Sequence, residues 1–474
     1  MGYFKNIQLN NFRNFNEFQL EFSDKCNVFF GKNGCGKTNL LEALSLCIKG
    51  RGIRNDKITN FIKKDENSFS NIANFVNENI DYEIKVISEL SNNKLQKKIL
   101  LNNEFSSEVN KKIQSLITYL IYLPENERIF IASPTTRRNF FDHFIFSNNN
   151  KYSTLVNFYK KNVYERNVIL NNINSDENWL KKIEENISNS GIEIYKNRKM
   201  QVDLFVKNLG DISKYFNTEF KVTLEINDPF YNEKLNIDKY MISLRQCREI
   251  DKIVGGTKFG PHKSDYIFFV DKNYPASQLS TGQQKTLVLL LYFSQCNYLV
   301  NCKDINPILL LDEIGSSTDP EEGAAIASAV LQHFSEQTTT TIATTHHQSV
   351  ATTAENHSSF TNASFHLDPD SLEPTYQMSV GIPGRSYAMS VASSLGFPQP
   401  ILEKAKINLS PDYKKVSSML IDISRDREEL REILLKSKKI QTQIISTRKS
   451  LRDQLDLLIQ KRQQIIESVR LEAK

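Results

Sequence analysis

The sequence lacks several features that would place it outside the ordinary globular proteins. No apolar run approaches the ~20 residues that a membrane-spanning helix needs. Residues 1–5 begin no signal peptide, and the six cysteines form no C-x-x-C pair. We therefore expect reduced thiols, no zinc, no disulfide, no membrane association and a cytoplasmic location. With 474 residues, of which 39% are hydrophobic and 24% charged, the chain can form two or three domains with full cores.

Asparagine and net charge are both unevenly distributed along the chain. Residues 1–306 contain 44 asparagines, whereas residues 307–474 contain only 3. This contrast suggests two segments of different origin. Residues 412–474 have 15 Lys and Arg against 10 Asp and Glu, which accounts for the whole net charge of +5. Such a tail is compatible with contacts to a phosphate backbone and equally with a solvated helix face.

A glycine-rich loop follows the apolar run 28–30 and precedes an apolar helix that begins near residue 37. A turn of this kind that opens a helix presents backbone N–H groups to phosphate oxygens. We therefore predict an ATP site in which Lys37 contacts the β- and γ-phosphates and the Thr38 hydroxyl binds Mg²⁺. The loop fits G-x-x-x-x-G-K-[ST] and consists of Gly31, Lys32, Asn33, Gly34, Cys35, Gly36, Lys37 and Thr38.

Two further segments supply what ATP hydrolysis requires besides the loop. The apolar run 307–311 ends in Asp312 and Glu313, which is typical of a buried parallel strand with carboxylates at its carboxyl end. A strand predicted at 338–345 brings His346 to the same edge of the sheet. We predict that Asp312 holds the metal, that Glu313 activates water as a general base, and that His346 contacts the γ-phosphate.

Hydrophobic periodicity predicts the remaining elements. Proline is absent from residues 135–227, and helical spacing of apolar residues there predicts a helical arm, with a plain helical subdomain as the alternative. From residue 416 to residue 465 the heptad positions are mostly apolar, which predicts a long helix or coiled coil, or alternatively a helix packed on its own head. Strands are predicted at 3–12, 16–22, 26–30, 81–90, 95–103, 115–123, 220–226, 265–270, 307–311 and 338–345, and further helices at 37–49, 321–335 and from 279–285 to about residue 300.

The turn Ser280-Thr281-Gly282-Gln283 at the start of that last helix resembles the signature of ABC-type ATPases. This resemblance implies an α/β fold of the ABC-type P-loop ATPase head. It also implies that Ser280 and Gly282 bind the γ-phosphate of a nucleotide held by a second subunit, so that ATP holds a homodimer together.

Residues 1–306 resemble the bacterial RecF family, an ABC ATPase family of DNA repair related to SMC proteins. The resemblance implies ATP-dependent dimerisation on single-stranded or gapped duplex DNA, slow ATP hydrolysis and a RecR-type partner in recombinational repair. It also implies that Arg13 lies near the nucleotide, for which a surface arginine in a turn is the alternative. A matching motif at 260–263 has no physical role that the sequence suggests. The matching segments are 11–14, the phosphate loop, 124–125, 134 with 137–142, 160–167, 260–263 and 279–284.

Residues from about 307 onward resemble instead the MutS family, in the branch that usually carries a C-terminal Smr domain. RecF proteins usually have Asp-Asp where this chain has Asp312-Glu313, and they lack the histidine. Asp319 resembles the loop residue that couples the two sites of a dimer. Because the change of resemblance coincides with the loss of asparagine, we predict a composite chain joined near residues 301–307, and without an Smr domain we expect no nuclease. The matching segments are 308–323, 343–346, 374–376 and 381–386.

These observations predict an ATP-binding DNA repair and recombination protein with weak ATPase activity. One alternative is a MutS-like DNA clamp or ribosome-associated ATPase that uses the long helix to bind partners. Another is a non-functional or engineered fusion with a poorly packed junction. Cys35 is a separate hypothesis: at a helix N-terminus its thiol pKa is expected to fall, unless the position is simply variable. The predicted parts are the N-terminal head (1–135), the helical arm (136–218), the C-terminal head (219–410) and the long helix (411–474).

Overall fold

The structure is a computed structural model of the chain, which divides into two compact units, Met1–Ser386 and Tyr387–Lys474. In the second unit the described positions between 400 and 462 are helical and exposed. Most of the predicted helix 411–474, the segment 381–386 and Asp319 lie outside the described residues. The described residues are 2–91, 94–172, 176–215, 221–231, 235–271, 274–315, 320–336, 339–357, 359–367, 374–380 and isolated positions from 398 to 462.

The first unit contains both strands and helices. Among the described helices, none is long and apolar enough to cross a membrane. The strands are β1 (Tyr3–Phe12), β2 (Phe15–Glu21), β3 (Cys26–Phe30), β4 (Ser70–Asn77), β5 (Ile80–Ser91), β6 (Lys94–Leu101), β7 (Tyr119–Tyr122), β8 (Val222–Asn227), β9 (Asp265–Val270), β10 (Tyr274–Pro275), β11 (Ile308–Leu311), β12 (Thr340–Thr345), β13 (Phe360–Leu367) and β14 (Pro374–Val380). The helices are α1 (Lys37–Ser45), α2 (Ser107–Leu116), α3 (Pro134–Asn148), α4 (Tyr152–Leu170), α5 (Glu177–Tyr215), α6 (Ile237–Gln246), α7 (Arg248–Val254), α8 (Thr281–Lys303), α9 (Pro320–Glu336) and α10 (Gln348–Asn356).

The central sheet has the order β14-β13-β3-β12-β11-β7, and its five strands from β13 to β7 are parallel. Apolar side chains of β11 are buried on both faces, which explains its continuous apolar run. Leu309 and Leu311 pack in the core shared with α8 and α9. Ile308 and Leu310 pack in the opposite core, shared with α1 and the antiparallel sheet. The strand is thus held by apolar contacts from two layers.

An antiparallel sheet of order β2-β1-β4-β5-β6 covers helix α1. Its strands alternate in burial, as shown by Ile7 and Leu9, which are buried on either side of the exposed Gln8. The predicted hairpin at 81–90 and 95–103 is confirmed as β5 and β6. A third sheet of order β10-β9-β8 lies beside the helical arm.

The strand predicted at 115–123 is only partly correct. Helix α2 ends at Leu116, and strand β7 begins at Tyr119. Ser106 caps α2, since its side chain accepts a hydrogen bond from the Val109 N–H at 3.1 Å. The apolar residues of 115–123 therefore belong to the end of a helix and to a short strand, and a short apolar run does not distinguish these two cases.

The helical arm packs around a buried arginine. The Arg166 guanidinium donates to Glu184 Oε1 at 3.0 Å and to Asp251 Oδ2 at 2.7 Å. Arg166, Glu184 and Asp251 are all 0% exposed, so each charge depends on the others for compensation. Asp251 belongs to α7, and Leu244 of α6 lies in the same core, so the arm also contains helices beyond residue 218.

The motif at 260–263 ties the arm to strand β9. Gly260 has a φ of +120°, and a Cβ there would overlap the hydroxyls of Tyr159 and Tyr240. Arg198 of α5 donates to the Pro261 carbonyl and makes two hydrogen bonds to Asp142 of α3, at 2.9 and 3.0 Å. The motif therefore has a structural role that the sequence did not suggest.

The ring of His262 ends a chain of buried hydrogen bonds. His262 Nε2 lies 3.0 Å from the Thr257 carbonyl, which can only accept, so Nε2 carries the proton. Nδ1 then accepts from the Tyr159 hydroxyl at 2.8 Å, and Tyr159 accepts from Tyr240 at 3.2 Å. This order requires a neutral ring, and burial lowers the pKa of His262 to about 4.

We predict that Gly260→Ala lowers the free energy of unfolding by about 2–4 kcal/mol, because it adds left-handed backbone strain and displaces two hydroxyls. Urea unfolding measures the change. Gly256→Ala is the matched control, since a Cβ at Gly256 meets no atom within 4 Å. Equal losses in the two variants would contradict the structural role of Gly260.

Candidate nucleotide site

The glycine-rich loop lies between β3 and α1, at the carboxyl edge of the central sheet. Gly34 and Gly36 have φ values of +87° and +106°, which favour glycine, and Gly36 is the N-cap of α1. The Lys37 amine donates to the carbonyls of Gly31 at 2.7 Å and Lys32 at 3.1 Å. The loop therefore folds around its own lysine, whose three N–H donors suit phosphate oxygens as well as carbonyls.

The side chain of Asp312 joins the loop helix to two strands. The Thr38 hydroxyl lies 3.1 Å from Asp312 Oδ1 and 3.0 Å from Oδ2. The Thr344 hydroxyl donates to Asp312 Oδ1 at 2.7 Å and accepts from the Glu313 N–H at 2.9 Å. A hydroxyl and a carboxylate at hydrogen-bond distance are hard oxygen ligands of the type that Mg²⁺ prefers.

Glu313 and His346 lie at the same edge as Lys37. Burial raises the pKa of the Glu313 carboxyl, Lys37 lowers it and Asp312 raises it. Glu313 has a φ of +52°, a rare conformation for glutamate. Burial lowers the pKa of His346, and Lys37 lowers it further. The imidazole of His346 is thus neutral near pH 7, as expected of a hydrogen-bonding group rather than a charge.

Arg13 is bound to the side of helix α1. Its Nε donates to Glu42 Oε2 at 2.8 Å, and its Nη2 donates to Asp56 Oδ2 at 3.0 Å. Glu42 follows Thr38 by one helical turn and is 0% exposed. Burial raises the pKa of Glu42, and the cations Arg13 and Arg54 oppose this shift. The structure thus places Arg13 on the loop helix through Glu42.

The signature turn is exposed at the start of α8. Ser280 is the N-cap, and its N–H and hydroxyl both bond to Gln283, at 3.0 and 3.4 Å. A Cβ at Gly282 meets no atom within 4 Å, so the backbone there is open to a ligand or a second chain. The turn is therefore preformed and accessible from outside the chain.

The profile of the RecF/RecN/SMC N-terminal domain family matches residues 3–365. RecF of Rickettsia typhi is 34% identical over 324 residues, which cover 65% of this chain and 85% of that protein. RecF of Rickettsia prowazekii is 32% identical over 316 residues with the same coverage of both chains.

The chain belongs to the RecF family.

Two solved RecF structures have the same fold as this RecF-family chain. A structure of the recombination mediator protein RecF with ATPγS has a TM-score of 0.65 at 22% identity, and covers 77% of this chain and 96% of its own. A structure of RecF with ATP has a TM-score of 0.63 at 24% identity, and covers 72% and 93%. At this identity the likeness establishes the head fold and nothing further.

The family match continues through the predicted junction at residues 301–307. On its far side, β11 pairs in parallel with β7 and with β12 in this RecF-family chain. Its four residues are at most 2% exposed. The composite origin therefore stays a prediction, and the strand that follows the junction is buried in the central sheet.

Two polar residues of the site were missed from sequence. Thr344 lies in the buried, threonine-rich strand β12, two positions before His346, and this hydroxyl near the strand end could have marked it. Glu42 lies within an apolar helix, where a single acid indicated a buried partner. Neither pattern revealed which residue each one contacts.

The hypothesis of a low thiol pKa at Cys35 is wrong. Burial raises the pKa of the Cys35 thiol, and this effect exceeds the opposing influence of Lys37 and of the backbone N–H groups. Cys35 is 1% exposed, so loss of hydration of the thiolate dominates over the helix N-terminus.

We predict that Cys35 reacts with iodoacetamide at least about tenfold more slowly than Cys302 at pH 8, because the thiolate is the reactive form and burial disfavours it. Cys302 is exposed in the same folded chain and serves as an internal reference. Peptide mass spectrometry after timed quenching gives both rates. Equal rates for the two thiols would contradict the buried position of Cys35.

Proposed function

We propose that this RecF-family chain is an ATP-binding protein of DNA replication, repair and recombination, which dimerises on DNA when ATP is bound and hydrolyses ATP slowly. The observation that carries the proposal is the contact between Thr38 and Asp312, at 3.0 and 3.1 Å. It brings together the two residue types that an ATPase uses to bind Mg²⁺, although 274 positions separate them in sequence.

The nucleotide would bind with its phosphates along the loop 31–38. Lys37 would exchange the carbonyls of Gly31 and Lys32 for phosphate oxygens, since these carbonyls occupy its N–H donors now. Thr38 and Asp312 would hold Mg²⁺, which neutralises phosphate charge when bound. The backbone N–H groups at the start of α1 add a positive dipole end to the same site.

Glu313 is the proposed general base. Burial raises the pKa of the Glu313 carboxyl, which makes its carboxylate a stronger proton acceptor than that of an ordinary glutamate. The bond from the Glu313 N–H to Thr344 fixes the backbone that carries the carboxylate. His346, as a neutral imidazole, would donate a hydrogen bond to the γ-phosphate.

The dimer is proposed from the signature turn. Ser280 is exposed and Gly282 half-buried at a helix N-terminus, where a Cβ at Gly282 meets no atom within 4 Å, a position that suits a phosphate held by a second subunit. Arg13 would contact the nucleotide from the side of α1, and Asp319 would couple the two sites. Each subunit would then contribute residues to the nucleotide of its partner.

The proposed partners are single-stranded or gapped duplex DNA, a second copy of the chain, and a RecR-type recombination mediator, in the cytoplasm. The curated relatives are described as DNA replication and repair proteins, and the solved neighbours as part of the RecFOR pathway. We also propose a composite origin with a MutS-like segment, a long helix at 411–474, and the predicted domain boundaries, with α6 and α7 added to the arm.

We predict that Glu313→Gln keeps ATP binding but lowers ATP turnover by about 100-fold or more, because only proton abstraction from water is lost. Phosphate release measures turnover, and equilibrium binding of a fluorescent ATP analogue measures affinity. Glu336→Gln is the control, since Glu336 is an exposed acid at the end of α9. Turnover equal to that of the parent would exclude Glu313 as the base.

We predict that ATP converts the monomer to a dimer, and that gapped duplex DNA increases the dimer fraction. Sedimentation velocity with and without ATP and gapped duplex measures both effects. Ser280→Arg should stay monomeric, because a bulky cation in the exposed turn blocks the second subunit. A parent chain whose mass does not respond to ATP would overturn the proposed dimerisation.

A further inference from the structure

A buried ion pair connects the signature helix to the rest of its own subunit. Lys285 lies on the first turns of α8, and its Nζ is 3.1 Å from Glu127 Oε2. Both side chains are 8% exposed. A buried pair of this kind costs desolvation of two charges and contributes little net stability compared with apolar residues. The main effect of the ion pair is therefore to fix the position of α8 relative to Glu127.

Hydrogen bonds continue from this pair to the backbone of Asp312, the proposed metal ligand. Glu127 Oε1 accepts from the Tyr122 hydroxyl at 2.9 Å. Tyr122 is the last residue of β7, and its carbonyl accepts from the Asp312 N–H at 2.9 Å. Glu127 and Tyr122 thus link Lys285 to the backbone of Asp312.

A second contact fixes the same face of α8 to β7. Tyr292, two turns after Lys285, donates to the Ile121 carbonyl. Asn126 donates to the Tyr292 hydroxyl at 2.8 Å. The rings of Tyr122 and Tyr292 pack edge to face with centroids 5.5 Å apart. Helix α8 is thus anchored at Lys285 and at Tyr292. Because Lys285 is the anchor nearer the N-terminus, a displacement of that terminus acts on the contact between Lys285 and Glu127.

The same pair acts electrostatically on the hydrolytic edge. Glu127 contributes to raising the pKa of Glu313, after burial and Asp312. Lys285 contributes to lowering the pKa of His347, after burial and His346. Both members of the pair therefore lie within range of the residues beside the proposed γ-phosphate position.

We propose that Lys285 and Glu127 are positioning residues that couple engagement of the signature turn to the placement of Asp312 and Glu313 in the same subunit. The inference rests on the proposed function, and adds to it a route by which one nucleotide site senses the other. When a partner's nucleotide contacts Ser280 and Gly282, the N-terminus of α8 is pulled toward it. Lys285 transmits this movement through Glu127 and Tyr122 to Asp312.

The test compares Lys285→Met, Glu127→Gln and Lys285→Arg with the parent chain. Lys285→Met removes the charge with similar length, Glu127→Gln keeps the shape and the acceptor for Tyr122, and Lys285→Arg keeps the charge. Lys303→Met is the matched control, since Lys303 lies exposed in the last turn of the same helix. Each variant is measured for ATP affinity, ATP-dependent dimerisation, kcat, KM and thermal unfolding.

We expect Lys285→Met and Glu127→Gln to bind ATP and dimerise within about threefold of the parent, while kcat falls at least about tenfold with KM little changed. Lys285→Arg should recover most of kcat, and Lys303→Met should match the parent. Retention of parental kcat by Lys285→Met and Glu127→Gln would overturn the inference alone. So would a parallel loss of kcat, ATP affinity and thermal stability in all three variants, which indicates a purely structural pair. A parent that binds no ATP would refute the proposed function itself.

Discussion

The site depends on the hydrogen bonds of one carboxylate, that of Asp312. It receives the hydroxyls of Thr38 at 3.0–3.1 Å and of Thr344 at 2.7 Å. The backbone N–H of Asp312 donates to the carbonyl of Tyr122. These contacts join the loop helix and three strands of the central sheet at one point. Since the carboxyl ends of parallel strands meet at one edge, a single short side chain suffices to connect them.

The two cores on either face of the central sheet determine how rigid this point is. Strand β11 is buried on both faces, so it cannot shift without exposing apolar side chains on one side. The arm is fixed in a different way, through charges such as Arg166 and through the hydrogen-bond chain that ends at His262. Polar networks of this kind stabilise the fold only when every partner is in place. The residues around Arg166 and His262 therefore form a single cooperative unit.

Exposure distinguishes the signature turn from the rest of the site. The loop and Asp312 contact each other within one chain, whereas the exposed Ser280 and the half-buried Gly282 lie at a capped helix start. The polar contacts from Lys285 to Tyr122 run between these two regions. Helix α8 of this RecF-family chain therefore belongs both to the outer surface, at its N-terminus, and to the wall of the nucleotide site, through Lys285.

The sequence by itself determined the phosphate loop, the carboxylates after β11, the histidine after β12 and the signature turn, because each depends on local spacing and on the element before it. The family also followed from such segments. Only the tertiary structure decided that Thr344 binds Asp312, that Glu42 holds Arg13, and that the motif at 260–263 joins the arm to β9. Burial likewise reversed the expected pKa shift of Cys35. These outcomes depend on residues far apart in the chain, and no local pattern specifies which distant partner a polar side chain meets or how much water it loses.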